Sequence, residues 1–270
     1  MKDIKTSPFL TEMVRTITEM YRHGWDERNG GNISLLLDEP WVSEYLNVKN
    51  VLRCIPTGFE APELSGRYFL VTSTGSFFRN VQYDPETNLG VVRLADGGRT
   101  AELLWGFAGG GQFTSEFPAH MMSHAARLSA DPGNRVVLHC HPNNILAMTF
   151  GHDLDEREFT RTLWRMGTEG VIVFPDGVGV LPWMPCGTNE IGLATAEKMK
   201  KSRIVVWAQH GIYAAGKDLD DAFGLIETVE KHAEIYLKIA HLPKKQILTD
   251  AQLHMLEKRF GVKCREGYLD

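Results

Sequence analysis

The sequence predicts an α/β protein in which helices cover both faces of one central sheet, and three observations carry that prediction. Short β-branched runs such as Tyr68-Phe69-Leu70-Val71-Thr72 and Ile204-Val205-Val206-Trp207 are apolar throughout, as strands buried on both faces are. They alternate with longer segments in which apolar residues return every three or four positions, the helical period. No repeat or low-complexity stretch interrupts the 270 residues, so residues 1–270 are read as one domain.

Ser7 followed by Pro8 starts the first helix, whose Leu10, Met13, Val14, Ile17, Met20 and Tyr21 form one apolar stripe that ends at Gly24. Asn29-Gly30-Gly31-Asn32 then feeds a strand over residues 33–37. Paired glycines let backbone amides converge on an anion, and the same Asn-Gly string is also a common hairpin turn. Between Asp38 and Gly66 the periodicity fades and Pro40, Pro56 and Pro62 interrupt it, which predicts an irregular excursion with one strand at most. The strand at 68–72 opens into Ser73-Thr74-Gly75-Ser76, a second loop suited to an anion. Residues 89–94 and 100–105 read as a hairpin around Asp96-Gly97-Gly98. Gly109-Gly110-Gly111 lacks the strand, spacing and helix of a dinucleotide fingerprint and is read as a connector.

Thr114-Ser115-Glu116 opens a helix that runs to about residue 130, with Pro118 in its first turn, so Glu116 sits at the positive end where a carboxylate complements the dipole. After the turn Asp131-Pro132-Gly133-Asn134 comes Val136-Val137-Leu138-His139-Cys140-His141. In a strand His139 and His141 share a face and Cys140 takes the other, where it is a buried thiol. That spacing either gives two imidazoles to one metal ion or leaves two hydrogen-bonded polar residues at a strand end. Pro142 starts a helix through about 150, and Phe159, Leu163 and Trp164 mark another that ends near Gly167. Thr168-Glu169-Gly170 precedes a predicted strand at 171–174, and Pro175-Asp176-Gly177 precedes one at 178–181. Thr188 caps a helix to about 202. The strand at 204–207 ends in Ala208-Gln209-His210-Gly211 before a partner at 212–215, which makes His210 a candidate third ligand. Helices at 220–240 and from Thr249 or Asp250 to Phe260 complete the chain.

Composition excludes several classes of partner. A formal charge of -5 leaves no basic stripe for nucleic acid. No run of eighteen apolar residues and no signal-peptide core is present, so no membrane partner is expected. Cys54, Cys140, Cys186 and Cys264 are scattered, the pattern of reduced thiols in a cytoplasmic protein.

Taken in order, Asn29-Gly30-Gly31-Asn32, Thr72-Ser73-Thr74-Gly75, Thr114-Ser115-Glu116, His139-Cys140-His141 and Gln209-His210-Gly211 resemble the class II aldolase and adducin-head family. Longer strings, Gly24-Trp25-Asp26-Glu27-Arg28-Asn29, Phe174-Pro175-Asp176-Gly177-Val178-Gly179 and Lys258-Arg259-Phe260-Gly261-Val262, extend the resemblance over nearly the whole chain. It implies a three-layer α/β/α sandwich with a central, mainly antiparallel sheet, assembled as a homotetramer with active sites at subunit interfaces. It also implies one zinc ion per subunit on His139, His141 and His210, and a substrate-phosphate cradle of Asn29, Gly31, Asn32, Thr74, Gly75, Thr114 and Ser115. Glu116 becomes the catalytic carboxylate, and Glu169 a second one reaching in from a neighbouring subunit. The implied reaction is reversible cleavage of a ketose 1-phosphate, a small-molecule sugar phosphate, to dihydroxyacetone phosphate and L-lactaldehyde. A pentulose-phosphate 4-epimerase or an aldolase for another ketose 1-phosphate would use the same residues. A non-catalytic adducin-like assembly module would lack ligands or base, whereas all three histidines and Glu116 are present.

Overall fold

The apolar runs collect into one nine-stranded sheet in the computed structural model, which describes residues 1–243 and 245–270. Its strands are β1 (Asn32–Leu37), β2 (Arg53–Pro56), β3 (Tyr68–Thr72), β4 (Leu89–Ala95), β5 (Thr100–Gly106), β6 (Val136–Cys140), β7 (Val178–Leu181), β8 (Ile204–Trp207) and β9 (Gly211–Gly216). They lie in the order β2-β5-β4-β3-β1-β6-β9-β8-β7, and every neighbouring pair is antiparallel except β7 with β8. The sheet is therefore mainly antiparallel.

The helices are α1 (Pro8–Arg22), α2 (Glu39–Tyr45), α3 (Phe78–Val81), α4 (Pro85–Asn88), α5 (Phe117–Ala130), α6 (Asn143–Gly151), α7 (Glu156–Trp164), α8 (Glu169–Val173), α9 (Asn189–Met199), α10 (Leu219–Ile239) and α11 (Asp250–Phe260). Ser7 caps α1, Thr188 caps α9, and Thr249 with Gln252 forms a capping box on α11. Alternation along the strands sorts the core between two faces. Val136 and Leu138 of β6 and Ile212 and Ala214 of β9 pack with Met13 of α1, Ile145 of α6, Leu163 of α7, Ile226 of α10 and Leu253 of α11. On the other face Val137 and Tyr213 pack with Ala119 of α5 and Ile191 of α9, while Phe69 and Val71 of β3 meet Phe117 and Met121 of α5. The result is three layers, with the sheet in the middle.

Two stretches depart from the sequence expectation. The excursion from Asp38 contains helix α2 as well as the single strand β2. Only Val42 of that helix is buried, so a seven-residue segment with one inward position shows no helical period. Residues 171–174, expected as a strand, belong instead to helix α8 and its end. The β-branched string Val171-Ile172-Val173 favours a strand locally, but packing overrides it. A Cβ at Gly170 would lie 3.0 Å from both the Trp164 Cα and the His232 Cε1, so this backbone rests directly on α7 and α10. The carbonyls that the short helix leaves open are met by side chains: the Arg203 guanidinium donates to Val173 O at 2.7 Å and the Trp164 indole N–H to Phe174 O at 3.1 Å.

Candidate active site

Strand register brings the first part of the site together. Asn32 of β1 pairs with His139 of β6, and His139 pairs with Tyr213 of β9, so the three side chains form a row across the sheet on the face covered by α5. The His139 ring stacks on Tyr213 at 4.4 Å between centroids. Cys140 points the other way, and full burial pushes its thiol well up from the ordinary cysteine range. The tight turn between β8 and β9 supplies His210, with Gln209 in the left-handed region at φ 57°. Gly211 must follow, because a Cβ there would stand 2.5 Å from the Cys140 carbonyl oxygen and 2.8 and 3.0 Å from the rings of His141 and His139. Gly30 clears the other side of His141, where a Cβ would lie 2.9 Å from Nδ1.

The ligand nitrogens of His139, His141 and His210 all lie within 4.8 Å of one another, and the Nε2 atoms of His139 and His141 are 3.2 Å apart. His139 Nδ1 sits 3.0 Å from the Ile212 carbonyl oxygen, and His141 Nδ1 lies 3.0 Å from each carboxylate oxygen of Glu27. Both partners only accept, so Nδ1 carries the hydrogen in each ring and Nε2 presents a lone pair. Two lone pairs facing each other repel unless a cation or a proton lies between them. Two nitrogens bound to one tetrahedral ion at about 2.05 Å stand about 3.3 Å apart, so the donor set fits a divalent transition-metal ion. Burial, then the neighbouring His141 and His210, holds the His139 imidazole well below its ordinary range, and burial followed by His141 lowers His210 to about 4. Both rings are neutral and ready to coordinate near neutral pH.

Glu116 ends the loop before α5 and is buried beside these rings, with Oε2 3.6 Å from His139 Nε2 and Oε1 3.9 Å from His210 Nε2. The Tyr213 hydroxyl donates to Oε2 at 2.6 Å and the Asn32 amide donates to the same oxygen at 3.1 Å. Burial raises the carboxyl above its ordinary range, and the bonds from Tyr213 and Asn32 oppose that shift. Burial and the adjacent carboxylate push the Tyr213 phenol well up in turn, so it remains a donor.

One cavity of about 150 Å³ holds the expected residues together: Asn29, Gly31, Asn32, Thr74, Gly75, Thr114, Ser115, Glu116 and the three histidines all line it, with Gly30 and Ser73. No lysine or arginine is among these lining residues, so an anion here would meet hydroxyls and amides. A larger cavity of about 490 Å³ lies elsewhere, between Phe9, Trp41, Tyr45 and Leu219, and its walls carry no histidine or cysteine.

Residues 11–237 match the family of the class II aldolase and adducin N-terminal domain. The chain belongs to this family. Among its curated relatives, a rhamnulose-1-phosphate aldolase from Listeria monocytogenes serotype 4b is 57% identical over 270 residues, spanning 100% of this chain and 99% of that protein. Another from Enterococcus faecalis is 53% identical over 269 residues, covering 99% and 96%. The crystal structure of a sugar-phosphate aldolase from Thermotoga maritima superposes with a TM-score of 0.75 at 31% identity, over 88% of this chain and 97% of that one.

In this class II aldolase family member, two expected residues stand differently from the rest. The Asn32 side chain lines the cavity, but its amide is committed to Glu116 and its oxygen to His120. Glu169 opens α8, is exposed, and does not line the cavity of its own chain. Several site residues were not singled out from the sequence. Glu27 orients His141, and Tyr213 holds Glu116. The exposed Cys186 brings its sulfur within 4.8 Å of ligand atoms of Glu116 and His210. Tyr213 had a partial signal, since it lies in the strand read at 212–215 directly after the candidate ligand His210, but the pairing of that strand with the histidine strand came only from the structure. Glu27 and Cys186 lie in loops, where no period reports direction.

Proposed function

We propose that this chain is a zinc-dependent aldolase that reversibly cleaves L-rhamnulose 1-phosphate to dihydroxyacetone phosphate and L-lactaldehyde. The observation that carries the reaction class is the convergence of three imidazoles and the buried Glu116 carboxylate in one cavity walled by hydroxyls and glycines. The choice of sugar is supported by full-length similarity to proteins that carry the name rhamnulose-1-phosphate aldolase.

His139, His141 and His210 would hold one zinc ion per subunit, since imidazole suits zinc better than it suits magnesium or calcium. A bound zinc ion supplies Lewis acidity that draws negative charge onto the oxygens of the ketose carbonyl end and makes C3 acidic. Glu116, ionised and held through Oε2, takes the C3 proton of dihydroxyacetone phosphate on Oε1 in the condensing direction and returns it in cleavage. The hydroxyls of Thr74, Thr114 and Ser115, with Asn29 and the amides around Gly31 and Gly75, hold the phosphate and so fix the reacting carbon beside Glu116. Glu169 acts in the site of a neighbouring subunit of a homotetramer; it is not among the residues that line the cavity of its own chain. The enzyme works in the cytoplasm; no described helix is long and apolar enough to cross a membrane.

The test is a coupled assay for dihydroxyacetone phosphate release from L-rhamnulose 1-phosphate, run on zinc-loaded and chelator-treated protein. Release that vanishes with the chelator and returns with zinc is the expected result. Properly metallated protein that releases none would overturn the assignment.

A further inference from the structure

Behind Glu116 lies a file of buried polar groups that the reaction above does not use. Asn32 Oδ1 meets His120 Nε2, His120 Nδ1 lies 2.7 Å from Ser34 Oγ, and Ser34 Oγ lies 2.9 Å from His124 Nε2. Ser34, His120 and His124 are completely buried. The file exists because two periods match. His120 and His124 are spaced four apart on one face of α5, a rise of about 6 Å, with Glu116 four residues earlier at the N-cap, and Asn32 and Ser34 are two apart on one face of β1, a rise of about 6.7 Å.

We propose that His124, Ser34 and His120 form a one-way hydrogen-bond relay that positions Asn32 and, through it, the Glu116 carboxylate for proton transfer. The inference rests on Glu116 acting as an ionised base. A carboxylate only accepts, so Asn32 turns its N–H toward Glu116 and its carbonyl toward His120. His120 must then carry its hydrogen on Nε2, which leaves Nδ1 bare to accept from the Ser34 hydroxyl. The Ser34 oxygen accepts in turn from His124 Nε2–H. The file ends at His124 Nδ1, a buried nitrogen with no hydrogen-bond partner, and an unprotonated nitrogen is the cheaper form to leave there. Burial lowers both rings to about 3, so neither takes a second proton that would reverse a link. Tyr213 donates to the same oxygen as Asn32, so Oε2 is held by two donors while Oε1 lies 3.9 Å from His210 Nε2. His120, Ser34 and His124 touch no reacting atom and are positioning residues.

The experiment has a spectroscopic part and a kinetic part, both on zinc-loaded full-length protein. Nitrogen-15 NMR of histidine-labelled protein is expected to show His120 and His124 neutral and protonated on Nε2 from about pH 6 to about pH 8. A hydrogen on His120 Nδ1 instead of Nε2 would overturn the relay. In kinetics His124→Phe, which keeps a ring but loses the donor, is expected to lower kcat roughly tenfold while KM stays within about twofold and one equivalent of zinc is retained. His124→Gln, whose amide N–H stands near the place of Nε2, is expected to restore most of that loss. Should His124→Phe fold poorly, Ser34→Ala interrupts the same file with a smaller change and the same expected split. Unchanged kcat in a folded interrupting variant, with Glu116→Gln inactive, would overturn the relay and leave the base intact. Full turnover by Glu116→Gln would instead overturn the base reading and the relay that acts through it.

Discussion

Replacing Tyr213 by Phe isolates one hydrogen bond to the proposed base. The hydroxyl donates to Glu116 Oε2 at 2.6 Å with the whole tyrosine buried. A hydrogen bond to a charged acceptor contributes about 1.5–3 kcal/mol, and each 1.36 kcal/mol is a factor of ten, so its loss disfavours the ionised carboxylate by about ten- to 150-fold. Burial already pushes this carboxyl up and the Tyr213 bond pulls it down, so the variant moves it further up. A cation on the histidines lowers the carboxyl in both proteins and leaves the sign of the difference unchanged. The aromatic ring remains, with its stacks on His139 and Trp207 at 4.4 Å each, so zinc content is expected to stay the same. The assay is the pH dependence of kcat/KM with zinc saturating. The acid limb should move to higher pH, with the full loss below the carboxyl midpoint and a much smaller one on the plateau, where Glu116 is ionised in both proteins. Profiles that superimpose would refute the claim that Glu116 must be ionised for turnover.

Two further perturbations address the metal centre. Glu27→Ala removes the carboxylate that fixes the His141 ring at 3.0 Å and is expected to weaken zinc binding by about ten- to 100-fold, read by competition with a chelating dye; an unchanged affinity would mean that the ring needs no orienting partner. Gly211→Ala drives a Cβ to within 2.5 Å of the Cys140 carbonyl oxygen and against two ligand rings, at a cost of about 1–3 kcal/mol or more, so thermal unfolding should come earlier and zinc retention should fall. Wild-type values on both measures would show that the turn relaxes without moving the histidines.

Local pattern alone located eight of the nine strands, most of the helices and the placement of His139 and His141 on one strand face. Those features depend on periods of two and 3.6 residues and on cap residues such as Ser7, Thr188 and Thr249, which any reading of the chain can see. The resemblance of five short motifs carried the candidate ligands, the base and the anion loops, and these line one cavity. What local pattern misjudged was decided by packing. Val171-Ile172-Val173 has the composition of a strand, yet it is helical because Gly170 rests against α7 and α10. Only the tertiary structure assigned partners: register across β1, β6 and β9 set Asn32, His139 and Tyr213 in one row, and the docking of α5 over β1 set His120 and His124 onto Ser34. A hydrogen bond between residues 86 or 90 positions apart leaves no mark in a local period, because its direction is fixed by how two elements lie on each other.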